Sequence, residues 1–573
     1  MPLLPSDTIP SLATRQRLVR VAQGLEPSDL CIFNARIVDV HTLTIFLGAV
    51  NITDGFIASV GAALPALETF DAQGMYLTPG LIDAHIHIES SLLTPRRFAQ
   101  TVVPRGTVGV VCEPHEITNV IGLAGIKAML EAGAATPLSV WASVPSCVPA
   151  SAFEASGANL GAAEIKIALE LQGVLGLGEM MNYPGVLKLE PKVWEILAAA
   201  QGKRQDGHAP GLVGDAWQAY VAAGLESDHE AVTQAEAFER LRSGAWLMVR
   251  DGSAARNLET LAPLITRLKP TRAMLITDDA DAAELLEYGH CDRLLRTAIA
   301  CGIPAPLAVR MLTLAPSEYW RIPNRGAVAA SQIADLVLFD SLEAANAQVV
   351  WRFGKIVARD GALLESPQAY VFPDAALKSV HLPVQIALES RLRTQPIIGV
   401  HPTQIRTEHL PSLELGAADP SQDLVKLAVV ERHSGLGKTG VGFAKGIGLK
   451  RGAIAQTISH DAHNIICAGV LDSDMELAIL QLEKIQGGVV LVADGVVLAV
   501  LELPVAGLMS DAPALEVVAA QRKLESAAHE LGCTLPHPII TLAFLALTVI
   551  PSLKITEQGL FDVEQFRLLE PSF

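Results

Sequence analysis

TPGLIDAHIH, at residues 78–87, is an apolar segment that ends in two histidines one residue apart. Residues 80–84 are typical of a buried strand, and side chains alternate between the two faces of a strand. His85 and His87 therefore point to the same side, where both imidazoles can reach one metal ion. A pair of hydrogen-bonded core histidines is the alternative for this motif alone, so the interpretation depends on further ligand-type residues downstream.

Apolar segments followed by helical stretches repeat over residues 79–314. Repeated β-then-α units of this length indicate a parallel barrel, in which the carboxyl ends of the strands converge on one face. Ligands distant in sequence can meet on that face. The strand candidates after the first are residues 106–112, 138–144, 173–179, 212–213, 246–249 and 273–277.

Short β-rich segments lie on both sides of the barrel region, at residues 30–60 and 334–357. They predict one small β-sandwich domain made from both flanks of the barrel. A polar, proline-containing stretch at residues 382–423 precedes a last region of strands and helices. The predicted division is residues 1–78 with 320–381 for the β-domain, 79–319 for the barrel, and 382–573 for a C-terminal α+β domain.

Composition limits the partners of this chain of 573 residues. Hydrophobic residues make up 50% and charged residues 18%, and the mean hydropathy is +0.35. The longest apolar segment, residues 539–550, is too short to cross a bilayer and is predicted to be buried core. The net charge of −18 predicts repulsion from phosphate backbones and anionic lipid, so neither a nucleic-acid polymer nor a membrane is an expected partner. A small neutral substrate is compatible.

The N-terminus and the cysteines indicate a cytoplasmic protein. Residues 1–7 lack the basic and apolar stretches of an export signal. The seven cysteines are scattered and form no CxxC motif, which argues against a disulfide framework and a zinc knuckle. The high apolar content is compatible with a buried subunit interface, and we expect a homo-oligomer such as a dimer.

Six ligand-type residues follow successive strand-like segments. Four imidazoles and two carboxylates are typical of Zn, Mn or Fe(II) sites and disfavour Ca. Six ligands are too many for one tetrahedral ion that keeps an open position, whereas two ions sharing a bridging carboxylate would use them all. Each residue alone has a plainer explanation as a turn residue, surface histidine or capping acid; the ordered set makes coincidence improbable. The six are His85, His87, Glu179, His208, His229 and Asp278.

Longer motifs resemble the bacterial adenine deaminases of the amidohydrolase superfamily. They are PGLIDAHIHIESSLLTP, CEPHEITNV, GLGEMMNYPGVL, GHAPGL, SDHE, DGSAARNL, ITDD, RGAIAQTISHDAHNIICAG and TLAFLALTVIPSLKIT. The resemblance covers nearly the whole chain, and GEMMN, GHAPGL and SHDAHN are specific to this family. It implies a (β/α)8 metallo-hydrolase barrel, a small β-domain from both flanks and a C-terminal domain characteristic of adenine deaminases.

The resemblance also implies the reaction and the cofactors. All six ligand-type residues match the family's metal ligands, and Glu179 stands where many relatives bridge their metals with a carboxylated lysine. The resemblance implies two divalent metal ions. Mn and Fe(II) are the expected metals, and Zn is also compatible with these ligands. The implied reaction is hydrolysis of adenine to hypoxanthine and ammonia in purine salvage by a metal-bridged hydroxide, with Asp278 and Glu179 as catalytic residues. Glu113 is a departure, because relatives commonly have aspartate there.

Six further polar residues are candidates for contacts to the purine or for support of the metal ligands: Glu89, His115, Glu116, Asn182, Asp279 and His460. Ordinary polar roles at helix starts are about equally consistent with most of them. His460 belongs to the SHDAHN motif, which could close over the pocket or form only a hydrogen-bonded turn. Two other functions stay open: another amidohydrolase, acting on a cyclic amide, a related heterocycle or an acetylated amino sugar, and an inactive metal-binding homologue.

Overall fold

The computed structural model describes residues 9–569 except residues 391, 393, 403 and 415. The N-terminal residues 1–7, compared above with an export signal, lie outside the described residues. The chain forms a parallel barrel, a nine-stranded sheet on its flank and an eight-stranded C-terminal sheet. None of the helices in this described part of the chain is both long and apolar enough to span a membrane.

The barrel has eight strand positions, and the last is divided in two. The first five strands form a parallel ladder and the next three form another. Asp278–Asp279 then pairs in parallel with the end of the first strand, which closes the barrel and confirms the predicted fold class. The strands are Leu81–His87, Thr107–Cys112, Ser139–Val144, Val174–Met180, Arg204–Gly207, Ser227–Asp228, Trp246–Arg250, Ala273–Ile276 and Asp278–Asp279.

Helices follow the strands and cover the barrel. The strand Leu81–His87 is buried along its whole length, as expected of a parallel strand between a filled interior and a helical layer. Some helices start at clear signals, as where Thr233 and Glu236 form a capping box. The helices are Pro95–Val102, His115–Ile121, Leu123–Ala134, Ala162–Ala168, Tyr183–Leu187, Pro191–Ala199, Gly214–Ala222, Gln234–Arg242, Leu258–Leu268, Ala282–Glu287, Cys291–Ala300, Ala305–Met311 and Leu314–Trp320.

The predicted strand at residues 212–213 is wrong. Those residues lie in the loop before a helix, and the fifth and sixth strands are Arg204–Gly207 and Ser227–Asp228. Both strands are short. Their side chains are polar because they take part in a buried hydrogen-bond network. The Asp206 carboxylate, for example, accepts a hydrogen bond of 3.2 Å from the Tyr319 hydroxyl. A search for apolar segments therefore passes over them.

Asp83 ties the closing strands together. Its fully buried carboxylate accepts hydrogen bonds from the backbone N–H of Thr277 at 3.2 Å and from the hydroxyl of Thr277 at 2.6 Å. It also lies 3.1 Å from His290 Nε2 and accepts from the backbone N–H of His85 at 3.2 Å. The contacts with Thr277 fix the chain directly before Asp278, whose φ of +63° is uncommon for a residue other than glycine.

The flanking sheet joins both sides of the barrel segment, as predicted. Leu336–Phe339 pairs antiparallel with Tyr76–Pro79, so the returning chain completes the opening sheet. The helix Leu12–Ala22 packs beside it. The strands are Ser28–Asp39, Thr44–Thr53, Phe56–Gly61, Ala66–Asp71, Tyr76–Pro79, Leu336–Phe339, Ala347–Arg352, Lys355–Arg359 and Ala362–Leu363.

The C-terminal sheet begins inside residues 382–423, the polar stretch at the start of the predicted C-terminal domain. Its strands are Thr394–Val400, Thr407–Glu414, Val425–Val430, Thr439–Lys445, Ala453–Gln456, Ile465–Gly469, Gly488–Ala493 and Val496–Glu502. Helices Asp374–Leu377, Asp472–Ile485, Ala514–Glu530 and Pro538–Ala543 and a small sheet of Leu553–Thr556, Gly559–Asp562 and Arg567–Leu568 complete this part. The exact domain boundaries stay a prediction.

Candidate metal centre

The structure brings the six predicted ligands together at the carboxyl ends of the barrel strands. His85 and His87 are at the end of the first strand, and Glu179 is next to the end of the fourth. The other three come directly after, or within one residue of, a strand end: His208, His229 and Asp278. The convergence follows from the parallel arrangement, which places all strand ends on one face.

Asp278 faces the two histidines of the first strand. Its Oδ1 atom lies 3.4 Å from His85 Nε2 and 3.4 Å from His87 Nε2. The donor atoms of these three residues lie within 4.8 Å of one another, a spacing that could hold a metal ion. All three side chains are buried.

Glu179 lies between two groups of histidines. One oxygen, Oε1, is 3.5 Å from His87 Nε2. The other oxygen, Oε2, is 2.6 Å from His208 Nδ1 and 3.2 Å from His229 Nε2. His85, Glu179 and His229 form a further set with donor atoms within 4.8 Å. A carboxylate placed in this way can bridge two ions.

Unsatisfied buried nitrogens show that these residues fit a cation. Neither ring nitrogen of His85 has a hydrogen-bond partner among the residues that the structure describes, and the same holds for His229 Nδ1. Buried polar atoms are normally paired, because leaving them unpaired costs free energy. Imidazole nitrogens and carboxylate oxygens together suit Mn, Fe(II) or Zn.

Arg250 and Glu230 are site residues that the sequence reasoning missed. Arg250 Nη1 lies 2.7 Å from Asp278 Oδ2 and 2.7 Å from Glu230 Oε1. Glu230 Oε1 in turn lies 3.5 Å from His229 Nε2. The signal was present, since Arg250 ends a barrel strand and Glu230 follows a predicted ligand, but only the fold shows that they face each other.

The charges around Asp278 keep its carboxyl group ionised. Burial alone would raise its pKa, but the nearby His85 ring, 3.4 Å away, and the charge of Arg250 outweigh burial and hold the pKa of Asp278 well below its usual value. The pKa of Glu179 is also held well below its usual value, because His208 and His229 outweigh burial. Both predicted carboxylate ligands are therefore negatively charged.

Buried acids support the ligands from behind. Glu116 Oε1 lies 3.2 Å from His87 Nδ1, and Asp206 Oδ2, which the sequence reasoning missed, lies 3.4 Å from His85 Nδ1. Glu113 accepts a hydrogen bond of 2.8 Å from the backbone N–H of Glu179. Glu113 therefore helps to orient Glu179, the residue that could bridge two ions.

Three of the other predicted residues have local partners. Glu89 accepts a hydrogen bond from a backbone N–H at 3.3 Å, and burial together with the charge of Glu116 raises the pKa of Glu89 to about 8. Asp279 accepts a hydrogen bond from the Ser90 hydroxyl. Asn182 caps the helix Tyr183–Leu187 by accepting from a backbone N–H at 2.9 Å. A contact of Asn182 with the substrate stays a prediction.

The C-terminal motif reaches this face of the barrel. His115 Nε2 lies 2.8 Å from Asp461 Oδ2, an ion pair that joins the barrel to the SHDAHN motif. Donor atoms of Glu116, His460 and His463 lie within 4.8 Å of one another. The motif therefore borders the predicted metal ligands through Glu116.

Comparison with known proteins identifies the family. Residues 76–358 match the amidohydrolase family, and residues 403–567 match the adenine deaminase C-terminal domain. The chain is 46% identical to an adenine deaminase of Deinococcus deserti over 98% of both chains. It is 45% identical to one of Nitratidesulfovibrio vulgaris, over 96% of this chain and 97% of that one, and 44% identical to one of Archaeoglobus fulgidus, over 97% of each. The chain therefore belongs to the adenine deaminase family of amidohydrolases.

Proposed function

We propose that this chain hydrolyses adenine to hypoxanthine and ammonia at the cluster described above. The observation that carries the proposal is the position of Glu179, with one carboxylate oxygen towards His87 and the other towards His208 and His229. Similarity to adenine deaminases over nearly the whole chain supports the choice of substrate.

Two divalent ions fit this arrangement. His85, His87 and Asp278 would contribute to one site and His208 and His229 to the other, with Glu179 between them. The mixed nitrogen and oxygen ligands favour Mn or Fe(II) and are also compatible with Zn. When bound, the ions supply a nucleophile at neutral pH, because coordination lowers the pKa of water from about 15.7 to about 7.

Asp278 is the proposed proton carrier. Its Oδ1 atom faces the histidines and its Oδ2 atom is held by Arg250, so the carboxylate has one fixed orientation. It accepts a proton from the water that adds to C6 of adenine and donates it to the ring or to the departing amine. The C6–N6 bond then breaks, ammonia leaves and hypoxanthine remains.

Arg250→Gln is expected to lower kcat about 10- to 100-fold, the usual cost of losing a residue that orients a metal ligand. The variant loses the ion pairs that hold Asp278 and Glu230. Steady-state kinetics with adenine measure the effect, and Arg256→Gln is the control, because Arg256 is paired at the surface with Glu284. Equal kcat for both variants would remove Arg250 from the proposed mechanism.

A substrate panel separates the proposal from its alternatives. Purified protein is assayed for ammonia release from adenine, and for hydrolysis of cyclic amides and N-acetyl amino sugars. We expect release of ammonia with one hypoxanthine formed per ammonia. Faster hydrolysis of a cyclic amide would favour another amidohydrolase activity, and absence of all turnover in protein loaded with metal would favour an inactive homologue.

A further inference from the structure

Residues 459–464, here called the histidine loop, are held firmly against the barrel. The buried Arg432 donates from Nε to the carbonyl of His463 at 2.5 Å. Asn464 Nδ2 donates to the carbonyl of Ala155 in the barrel segment at 2.8 Å. Together with the ion pair of His115 and Asp461, these contacts fix the loop at the edge of the metal-ligand cluster.

One hydrogen bond determines which nitrogen of His463 carries the proton. The backbone N–H of Ser459 donates to His463 Nδ1 at 3.2 Å, so Nδ1 is the acceptor and the hydrogen of the neutral ring is on Nε2. Burial lowers the pKa of His463 well below its usual value, which agrees with a neutral ring. His463 is therefore a donor through Nε2.

This donor has no partner within the described part of the chain. The side chain of His463 is fully buried, and Nε2 makes no hydrogen bond to any described residue. A ring nitrogen of His463 lies within 4.8 Å of a Glu116 oxygen, and Glu116 contacts the predicted ligand His87 at 3.2 Å. A donor and a carboxylate at this spacing can hold one bridging group between them.

We infer that His463 donates its Nε2–H to a ring nitrogen of the purine and so contributes to specificity for the base. Adenine has acceptor nitrogens in both rings, and the Glu116 carboxylate, with an oxygen within 4.8 Å of a His463 ring nitrogen, can accept a purine N–H. A site built to hydrogen-bond its substrate rejects analogues that lack the matching atom, because the buried group is then left unpaired. The inference deepens the proposed function and rests on it for the identity of the substrate.

The test couples a change in the protein to a change in the ligand. Binding of adenine and of 1-, 3- and 7-deazaadenine is measured by calorimetry for metal-loaded Asp278→Asn, in which turnover of adenine is expected to be too slow to interfere, and for the same protein carrying His463→Ala in addition. The variant is expected to bind adenine at least about 10-fold more weakly, as for loss of one buried hydrogen bond. One of the three deaza analogues should bind both proteins equally, because it lacks the accepting nitrogen.

His463→Gln keeps an N–H donor and serves as a second variant if His463→Ala does not fold. We expect it to bind adenine more tightly than His463→Ala but more weakly than the protein with His463. His401→Ala is the matched control, since His401 is partly exposed and directly follows the strand Thr394–Val400 of the C-terminal sheet. Equal losses for all three analogues, or no loss for adenine, would overturn the inference. Loss of bound metal from His463→Ala with unchanged purine affinity would also overturn it. Calorimetry does not need turnover, so purine binding through His463 without ammonia release would refute only the proposed function.

Discussion

Asp278→Asn is expected to lower kcat for adenine by about 10³-fold or more and to leave the protein folded. The amide can still ligate a metal through its oxygen, but it cannot accept and return a proton, a role that contributes about 10²- to 10⁴-fold in enzymes. The loss of charge opposite Arg250 adds to the effect, because the guanidinium loses its ion pair with residue 278 and keeps the one with Glu230. Stopped assays of ammonia release and circular dichroism measure activity and folding.

The comparison variant for Asp278→Asn is Asp215→Asn, which makes the same change at an exposed position of the barrel segment. It should retain the kcat of the wild type. Near-normal activity of Asp278→Asn in saturating Mn would refute the role of Asp278 as proton carrier, whatever the result for metal binding.

Glu179→Ala is expected to reduce bound metal to about one ion per chain or less and to abolish turnover. Removal of the carboxylate leaves His87 on one side and His208 and His229 on the other without the group that links them. An open binuclear site needs a bridge to hold two cations close together against their mutual repulsion. Metal analysis of dialysed protein, together with adenine turnover, measures both effects.

Glu195→Ala is the matched control for Glu179, because it truncates an exposed glutamate on the helix Pro191–Ala199, the second helix after the same strand. It should keep the metal content and activity of the wild type. Two tightly bound ions in Glu179→Ala would contradict the proposal that Glu179 bridges the metals. Full activity of that variant would contradict its catalytic role.

The barrel could be predicted where its strands are apolar. The strands at residues 107–112 and 174–180 are buried among hydrophobic residues and were found from that pattern. Arg204–Gly207 and Ser227–Asp228 were not found, because buried hydrogen bonds replace apolar contacts there. The strand Thr407–Glu414 was missed for another reason: it is mostly exposed at the edge of its sheet and so is polar.

The candidate ligands could be predicted because each follows a strand in sequence, and parallel strands end on one face. The residues that contact these ligands could not be predicted from the sequence. Arg250 and Asp206 are ordinary charged residues until the fold places them beside Asp278 and His85. The contact of His115 with Asp461 joins residues 346 positions apart, and no local pattern indicates such a pair.

Metal content and adenine turnover, measured on the same anaerobically purified protein before and after exhaustive chelation, test the central claim most directly. The account predicts about two divalent ions per chain and formation of hypoxanthine, loss of turnover when the ions are removed, and recovery when Mn or Fe(II) is restored. Unchanged deamination by protein freed of metal would contradict it.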